Sequence, residues 1–360
     1  MVFRYGVLVG TAFVILIFGL IKPLHNWDMI AYVAGAYYRD GYTGADLTRE
    51  TYGEVKKEVN SKTFSKLITG KYRETVYEDP SSLEQQIPFY SIRVGYIELI
   101  RLLKKTGMNY AKSTYVISAI FASLSVLVLG LIILKTPVPM GVLPIVVAVT
   151  GYTELARLST PDAMACFFSL LGIYSLMTKG RLVFFVAAIL PLVRTDFILL
   201  SGLLMIHTYL QGSKFLSVLS LLASVAFYIL INKLYGNYGY LTLFNFTFIG
   251  SLTPYPANIV ISHQFSDYLT PYALWLNNWI FHSHSAIYVL ALYLFWLKKD
   301  HIKDHFDFYC LFGLPFVFTV IHILLFPTEQ YRFFVFSASL IFIWSLRLLG
   351  QPARKAEKTG

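Results

Sequence analysis

The chain has 360 residues, 56% hydrophobic, 17% aromatic and only 14% charged, with a net charge of +10 and a mean hydropathy of +0.59. Soluble globular domains carry about a quarter charged residues, so this composition excludes an ordinary soluble fold and points to an all-α polytopic membrane protein. The excess of basic residues is assigned to span orientation and to anionic lipid rather than to nucleic acid, because these residues sit mainly in loops beside apolar segments.

Tyr5–Pro23 is the first expected span. The run from Tyr5 to Leu24 has no small-x-small cleavage site, so residues 1–24 are read as a retained first transmembrane helix. Residues 25–113 then form a long polar loop. Within it, Trp27–Arg39 places Ile30, Val33, Ala34 and Tyr37 at helical spacing. Pro88–Lys105 places Ile92, Tyr96, Leu99, Ile100 and Leu103 on one face and its basic residues off it, with Pro88 opening the helix and Gly107 following its end. Both segments read as interfacial helices lying on the membrane. They flank a lysine-rich, mostly helical insert from Asp40 to Gln86.

Residues 114–350 read as a transmembrane helical bundle. The apolar runs are Thr114–Leu134, Val138–Ala156, Asp162–Met177, Leu182–Val193, Phe197–Leu210, Phe215–Ile231, Asn278–Leu297, Phe308–Phe326 and Phe333–Leu348. With the first span they make about ten transmembrane or re-entrant helices, a crossing needing roughly 20 apolar residues. Leu182–Val193 and Phe197–Leu210 are short and read as a tight pair or a re-entrant hairpin. Residues 351–360 are a short basic tail. Cys166 and Cys310 lie inside apolar runs, which excludes a disulfide framework and a cysteine-based zinc site.

Lysine and arginine in short loops set the orientation. With the N-terminus cytoplasmic, 12 basic residues fall inside and only Arg157, Arg194, Lys233 and Arg332 fall in short outer connections. The other 14 lie in or beside the long first loop, which the rule largely exempts. The first loop is therefore expected to be extracytoplasmic and the tail cytoplasmic.

Five connections then share the outer face, nearly all with an acid and an arginine. They are His25-Asn26-Trp27-Asp28, the Glu154/Arg157/Asp162 region, Arg194-Thr195-Asp196, the loop from Asn232 to Leu276, and Glu329-Gln330-Tyr331-Arg332. Ionisable groups at span ends are costly to place, so their repetition on one face suggests a shared polar site. Asp28, beside Trp27 at the mouth of a span, suits a general base and equally suits a helix cap for the segment that follows. Arg332 suits bidentate capture of a phosphate and equally suits snorkelling to headgroups. Arg194 and Asp196 interrupt a long apolar run, either as site residues or as a mutual ion pair. Thr160-Pro161-Asp162 is explained by helix capping alone, and Glu154 and Arg157 by pairing with each other. His301 and His305 have helical metal-ligand spacing but lie on the inner side. His263, His282 and His284 are the outer candidates for a divalent metal. No nucleotide-binding, serine-hydrolase or zinc-protease motif is present.

The order of these parts resembles the GT-C glycosyltransferases, polytopic enzymes that use polyprenyl-phosphate sugars. Trp27-Asp28 occupies the place of their catalytic acid, just after the first span. Arg157-Leu158-Ser159-Thr160-Pro161-Asp162, then a span, then Pro191-Leu192-Val193-Arg194-Thr195-Asp196, is similar to the "TPD … RxD" rhythm of bacterial members. Tyr235-Gly236-Asn237-Tyr238-Gly239 resembles the "YYG" loop that follows. Many members pair two acids in the first loop, whereas here Met29 follows Asp28.

The resemblance implies a bacterial inner-membrane enzyme whose site faces the periplasm or outer surface. It would move a sugar from a polyprenyl-phosphate donor to a glycan, lipid-linked sugar or protein of the cell envelope by inverting displacement. Asp28 would be the catalytic base. Arg332, Tyr331, Arg194 and Arg157 would hold the donor phosphate, and His25, Asp162, Asp196 and Glu329 would complete the substrate site. No cofactor is required beyond, at most, a divalent metal. Two rivals remain at this stage. A lipid-linked-sugar flippase needs two related halves, and no repeat is present; an O-antigen-polymerase-like enzyme would carry its large loop late rather than first.

Overall fold

The structure is a computed structural model and describes residues 2–250, 252–281, 284–299, 302 and 305–350. The tail, His282 and His301 lie outside the described residues, as does the side chain of His305. All regular elements among the described residues are helices, and their one strand-like pairing is an isolated bridge between Leu24 and Leu158.

Helix α1 (Val2–Ile21) is followed by six helices of the first loop: α2 (Asp28–Arg39), α3 (Gly44–Glu58), α4 (Ser61–Ile68), α5 (Lys71–Glu78), α6 (Pro80–Ser91) and α7 (Val94–Lys104). Side-chain caps fix several starts: Asn60 accepts from the Thr63 amide at 2.8 Å and Asp79 from the Ser81 amide at 2.9 Å. Pro80, not Pro88, opens α6. Pro88 lies inside α6, and the chain breaks at Ile92 and Arg93 before α7 begins. The expected single Pro88–Lys105 helix is therefore two. Met29 through Tyr37 are all buried, so α2 is enclosed by its neighbours and presents no single apolar face.

The long helix α8 (Tyr110–Ile133) joins the two halves of the molecule. Its first turns, Tyr110 to Ile117, pack into the core of the first loop. Its later residues, Ala122 to Ile133, belong to the core of the bundle. One rigid rod therefore fixes the first loop on the bundle.

The bundle continues with α9 (Leu143–Val149), α10 (Tyr152–Leu155), α11 (Asp162–Met177), α12 (Leu182–Val193), α13 (Ile198–Leu210) and α14 (Lys214–Leu234). Val138–Ala156 is not one span. Pro139 and Pro144 sit near its start, and Gly151 takes a φ of +91°, a left-handed conformation that ends α9. Next come α15 (Tyr240–Phe244), α16 (Phe265–Trp279), α17 (Ser285–Lys298), α18 (His305–Phe308), α19 (Leu314–Leu325) and α20 (Val335–Leu349). The expected Asn278–Leu297 span is divided between the end of α16 and α17. The region from Asn232 to Leu276 holds the end of α14, all of α15 and most of α16, with an irregular stretch before Phe265.

Among the described residues, five helical stretches are long and apolar enough to cross a membrane: Val2–Ile21, Tyr110–Ile133, Lys214–Leu234, Phe306–Leu325 and Tyr331–Leu349. Six shorter apolar ones run 10–17 residues. The exposed surface of α14 is compatible with lipid: Phe215, Leu222 and Leu234 are 77%, 62% and 68% exposed, while Ser217, Ser220 and Ser224 face the protein. Small residues at the contact and large apolar ones outside are what a helix in hydrocarbon requires.

Candidate functional site

The starts of α2 and α11, the turn after α12 and the turn before α20 meet where five charged side chains join. Asp28 opens α2 but makes no capping bond. Its Oδ2 accepts from Asn26 Nδ2 at 2.7 Å and from Arg332 Nη1 at 3.1 Å, and its Oδ1 accepts from the Tyr90 hydroxyl at 3.1 Å. Tyr90 and Tyr72 hold their phenolic protons firmly: burial raises both pKa values, and the negative charge of Asp28 adds to it. Tyr90 therefore acts as a donor to Asp28.

Asp162 opens α11 after Pro161, with its side chain almost fully buried. It caps nothing. Its Oδ1 accepts from Arg194, and its Oδ2 lies 3.2 Å from Arg332 Nε, close but not aligned for a hydrogen bond. Asp162 keeps its place in the first turn of α11 after Pro161, as the helix-start reading of Thr160-Pro161-Asp162 expects, and it also joins an ion network. Arg332 is shared between two carboxylates, Asp28 and Asp162, and does not extend to the surface.

Arg194 sits in extended backbone at the end of α12. Its Nε and Nη2 grip Asp196 bidentately at 3.1 and 2.8 Å, and its guanidinium lies 4.0 Å over the ring of Phe333. Asp196 also accepts from His322 Nε2 at 3.0 Å. The Arg194–Asp196 pair is thus real, and it is one part of the larger network. With every arm of Arg194 engaged and its side chain 7% exposed, Arg194 organises the carboxylates rather than presenting an open anion clamp.

The remaining candidates lie apart. Arg157 donates to the Lys22 carbonyl at 2.5 Å and stacks over Phe18, holding the end of α1. Tyr331 packs against Gly151 and edge-on to His284. His25 meets the edge of Tyr115, and burial lowers its pKa despite the nearby charge of Glu58. Glu329 accepts from Asn278 at 2.6 Å. His284 bonds the Thr150 carbonyl at 3.1 Å. Among the described residues no group of three or more His, Cys, Asp or Glu is placed to hold a metal.

No family model, curated protein or solved structure matches this chain.

Three carboxylates face two guanidiniums, and the two most accessible acids are Asp28 and Asp196, with side chains 21% and 30% exposed. Beside Asp162, Cys166, Phe197 and Phe336 leave a gap too narrow for a water-sized sphere. Asp162 and Arg194 are nearly fully buried, and a low local dielectric strengthens the charge interaction between them. Sequence reasoning passed over Asn26, Tyr90 and His322. His322 carried a usable signal, as the sole ionisable residue in the apolar run Leu314–Leu325. Tyr90 and Asn26 carried none beyond their residue types.

The segment after α14 adds no charge to the network, but it clamps the first loop. Ser82 and Gln86 donate to the Pro254 carbonyl at 2.6 and 2.9 Å, and Ser91 to that of Tyr235 at 2.8 Å. Arg39 lies 3.9 Å over the Tyr235 ring. The Tyr255 hydroxyl donates to Asp79 at 2.7 Å, which holds that carboxyl below its usual range.

Proposed function

We propose that this chain is an integral membrane glycosyltransferase of GT-C type, moving a sugar from a polyprenyl-phosphate donor to a cell-envelope acceptor with inversion. The observation that carries the reading is the contact of Asp28, from the first loop, with Arg332, from the last hairpin, at 3.1 Å. A base and an anion clamp on one hydrogen bond are the two groups that a single displacement from a phosphate leaving group needs.

In this reading the donor phosphate competes with Asp28 for Arg332. As the guanidinium turns to the phosphate, an oxygen of Asp28 becomes free to accept. The acceptor hydroxyl gives Asp28 its proton and its oxygen bonds to the anomeric carbon. The bond from that carbon to the phosphate oxygen breaks, and polyprenyl phosphate leaves on Arg332. Asp162 and Arg194, both buried, keep Arg332 in register. The donor brings its own anionic leaving group, so no nucleotide-binding fold is needed. About ten spans or re-entrant helices, a bacterial inner membrane and a site facing the periplasm complete the reading, supported by the distribution of lysine and arginine in the short loops.

The test compares two variants with a polyprenyl-phosphate sugar as donor. Asp28→Asn is expected to lower transfer on the order of 10²–10⁴-fold with thermal stability little changed, because Asp28 makes no capping bond. Arg332→Lys is expected to weaken donor use, a point charge replacing a planar fork. Near-normal transfer by Asp28→Asn would remove Asp28 from the chemistry and the mechanism with it.

A further inference from the structure

Among the described residues, His322 is the one imidazole bonded into the charged network, and the mechanism above gives it no role. It lies in α19, 4% exposed, between Phe318, Phe333 and Phe334, whose ring centres are 5.8, 5.9 and 5.1 Å from its own. Its Nε2 is 3.0 Å from Asp196 Oδ2, and its Nδ1 is buried without a hydrogen-bond partner. A carboxylate held by a guanidinium can only accept, so Nε2 carries the hydrogen and donates it. A buried polar side chain in an apolar helix costs stability unless its bond is used.

The path from this bond to the reacting groups is short. His322 holds Asp196, and Asp196 takes two arms of Arg194. The third donating arm of Arg194 then meets Asp162, whose other oxygen lies 3.2 Å from Arg332. Arg332 in turn meets Asp28. Each group is fixed by the one before it. Asp196 is the most exposed acid of the set, at 30%, and therefore the one most in need of an anchor. Its anchor away from Arg194 is His322.

We infer that His322 is a positioning residue: by tethering Asp196 it sets the direction of Arg194 and, through Asp162, the place of Arg332 against the leaving phosphate. This rests on the glycosyltransferase reading for the role of Arg332 and on the hydrogen-bond geometry for the rest. Without the tether, Asp196 and Arg194 can turn together into the open side of the site. Asp162 then draws Arg332 away from Asp28.

The test uses the full chain in detergent, with His322→Leu, which removes the donor at similar size, and His322→Gln, which keeps an N–H. Two quantities are read: kcat with a polyprenyl-phosphate sugar, and calorimetric binding of farnesyl phosphate, a leaving-group mimic that needs no turnover. His322→Leu is expected to lower kcat and to weaken farnesyl phosphate binding, each about tenfold, with His322→Gln restoring most of both. Asp196→Asn is expected to match His322→Leu, and the double variant to be no worse than either. Wild-type values in His322→Leu, or equal losses in His322→Leu and His322→Gln, overturn the positioning role and leave the glycosyltransferase reading standing. Transfer without farnesyl phosphate binding removes Arg332 as the leaving-group clamp, and the positioning role with it. A wild type that neither transfers nor binds farnesyl phosphate overturns both.

Discussion

The Oδ2 of Asp162 lies 3.2 Å from the Nε of Arg332, and neither atom makes a hydrogen bond. Asp162 is therefore the pivot on which both arginines of the network lean, one by a direct bond and one by proximity. Breaking a buried pair by removing one partner costs about 3–5 kcal/mol, because the other charge is left behind. Asp162→Asn is expected to lower stability by about that amount, whereas Asp28→Asn should cost less than about 1 kcal/mol, its carboxylate being more exposed and its loss leaving Arg332 beside Asp162. Thermal unfolding of the two variants in the same detergent checks the contrast, and equal losses would mean that Asp162 is not the pivot.

Ser61 opens α4 on the exposed side of the first loop. Cysteine placed there is expected to react with an impermeant thiol reagent in intact cells. The native Cys166 and Cys310 are both buried and should give little background. Labelling only after lysis would reverse the orientation and move the whole charged network to the cytoplasmic side.

His25 gives the pH dependence. Burial holds its pKa below the ordinary 6.5, so the unfolded chain takes up a proton first as pH falls. Stability should thus decline as pH drops through 6.5 and level off below the lowered folded value. His25→Gln removes this contribution. The fall in melting temperature between pH 7.5 and pH 5 should be smaller in that variant, and an identical fall would assign the acid sensitivity elsewhere.

Gly151 has a φ of +91°, and a β-carbon there would lie 2.8 Å from the ring of Tyr331. Gly151→Ala meets both penalties, backbone strain and overlap, and should destabilise by more than about 1 kcal/mol. Because Tyr331 precedes Arg332, transfer should fall as well. Unchanged melting and transfer would show that the turn adjusts freely.

Much of the frame is legible in the sequence because membrane helices announce themselves by length and hydropathy. Leu182–Val193 was expected at the residues where α12 begins and ends, and Asp162–Met177 likewise coincides with α11. The failures have specific causes. Pro88 was given the role of Pro80, since two prolines eight residues apart compete for one helix start. Val138–Ala156 reads as a span until Tyr331 is found packed on Gly151. Asn278–Leu297 is apolar on both sides of the division between α16 and α17. For the site, residue type and position singled out Asp28, Asp162, Arg194, Asp196 and Arg332. They did not indicate that Asp162, at the start of α11, would face two arginines, or that Arg157 would turn back to the Lys22 carbonyl. Such choices are settled by contacts between distant segments, which no local pattern encodes.

The bond between Asp28 and Arg332 spans 304 residues, nearly the whole chain. At a synthesis rate of roughly 5–20 residues per second, the acid emerges about 15–60 s before its arginine exists. Throughout that interval Asp28 awaits its guanidinium at the mouth of a half-built bundle, whereas Asp162 already has Arg194. A ribosome that stops before the last hairpin leaves a nascent chain with its polar end uncompensated. The pairing of Asp28 is thus closed only when the last hairpin is in place, so this one contact reports that assembly is complete.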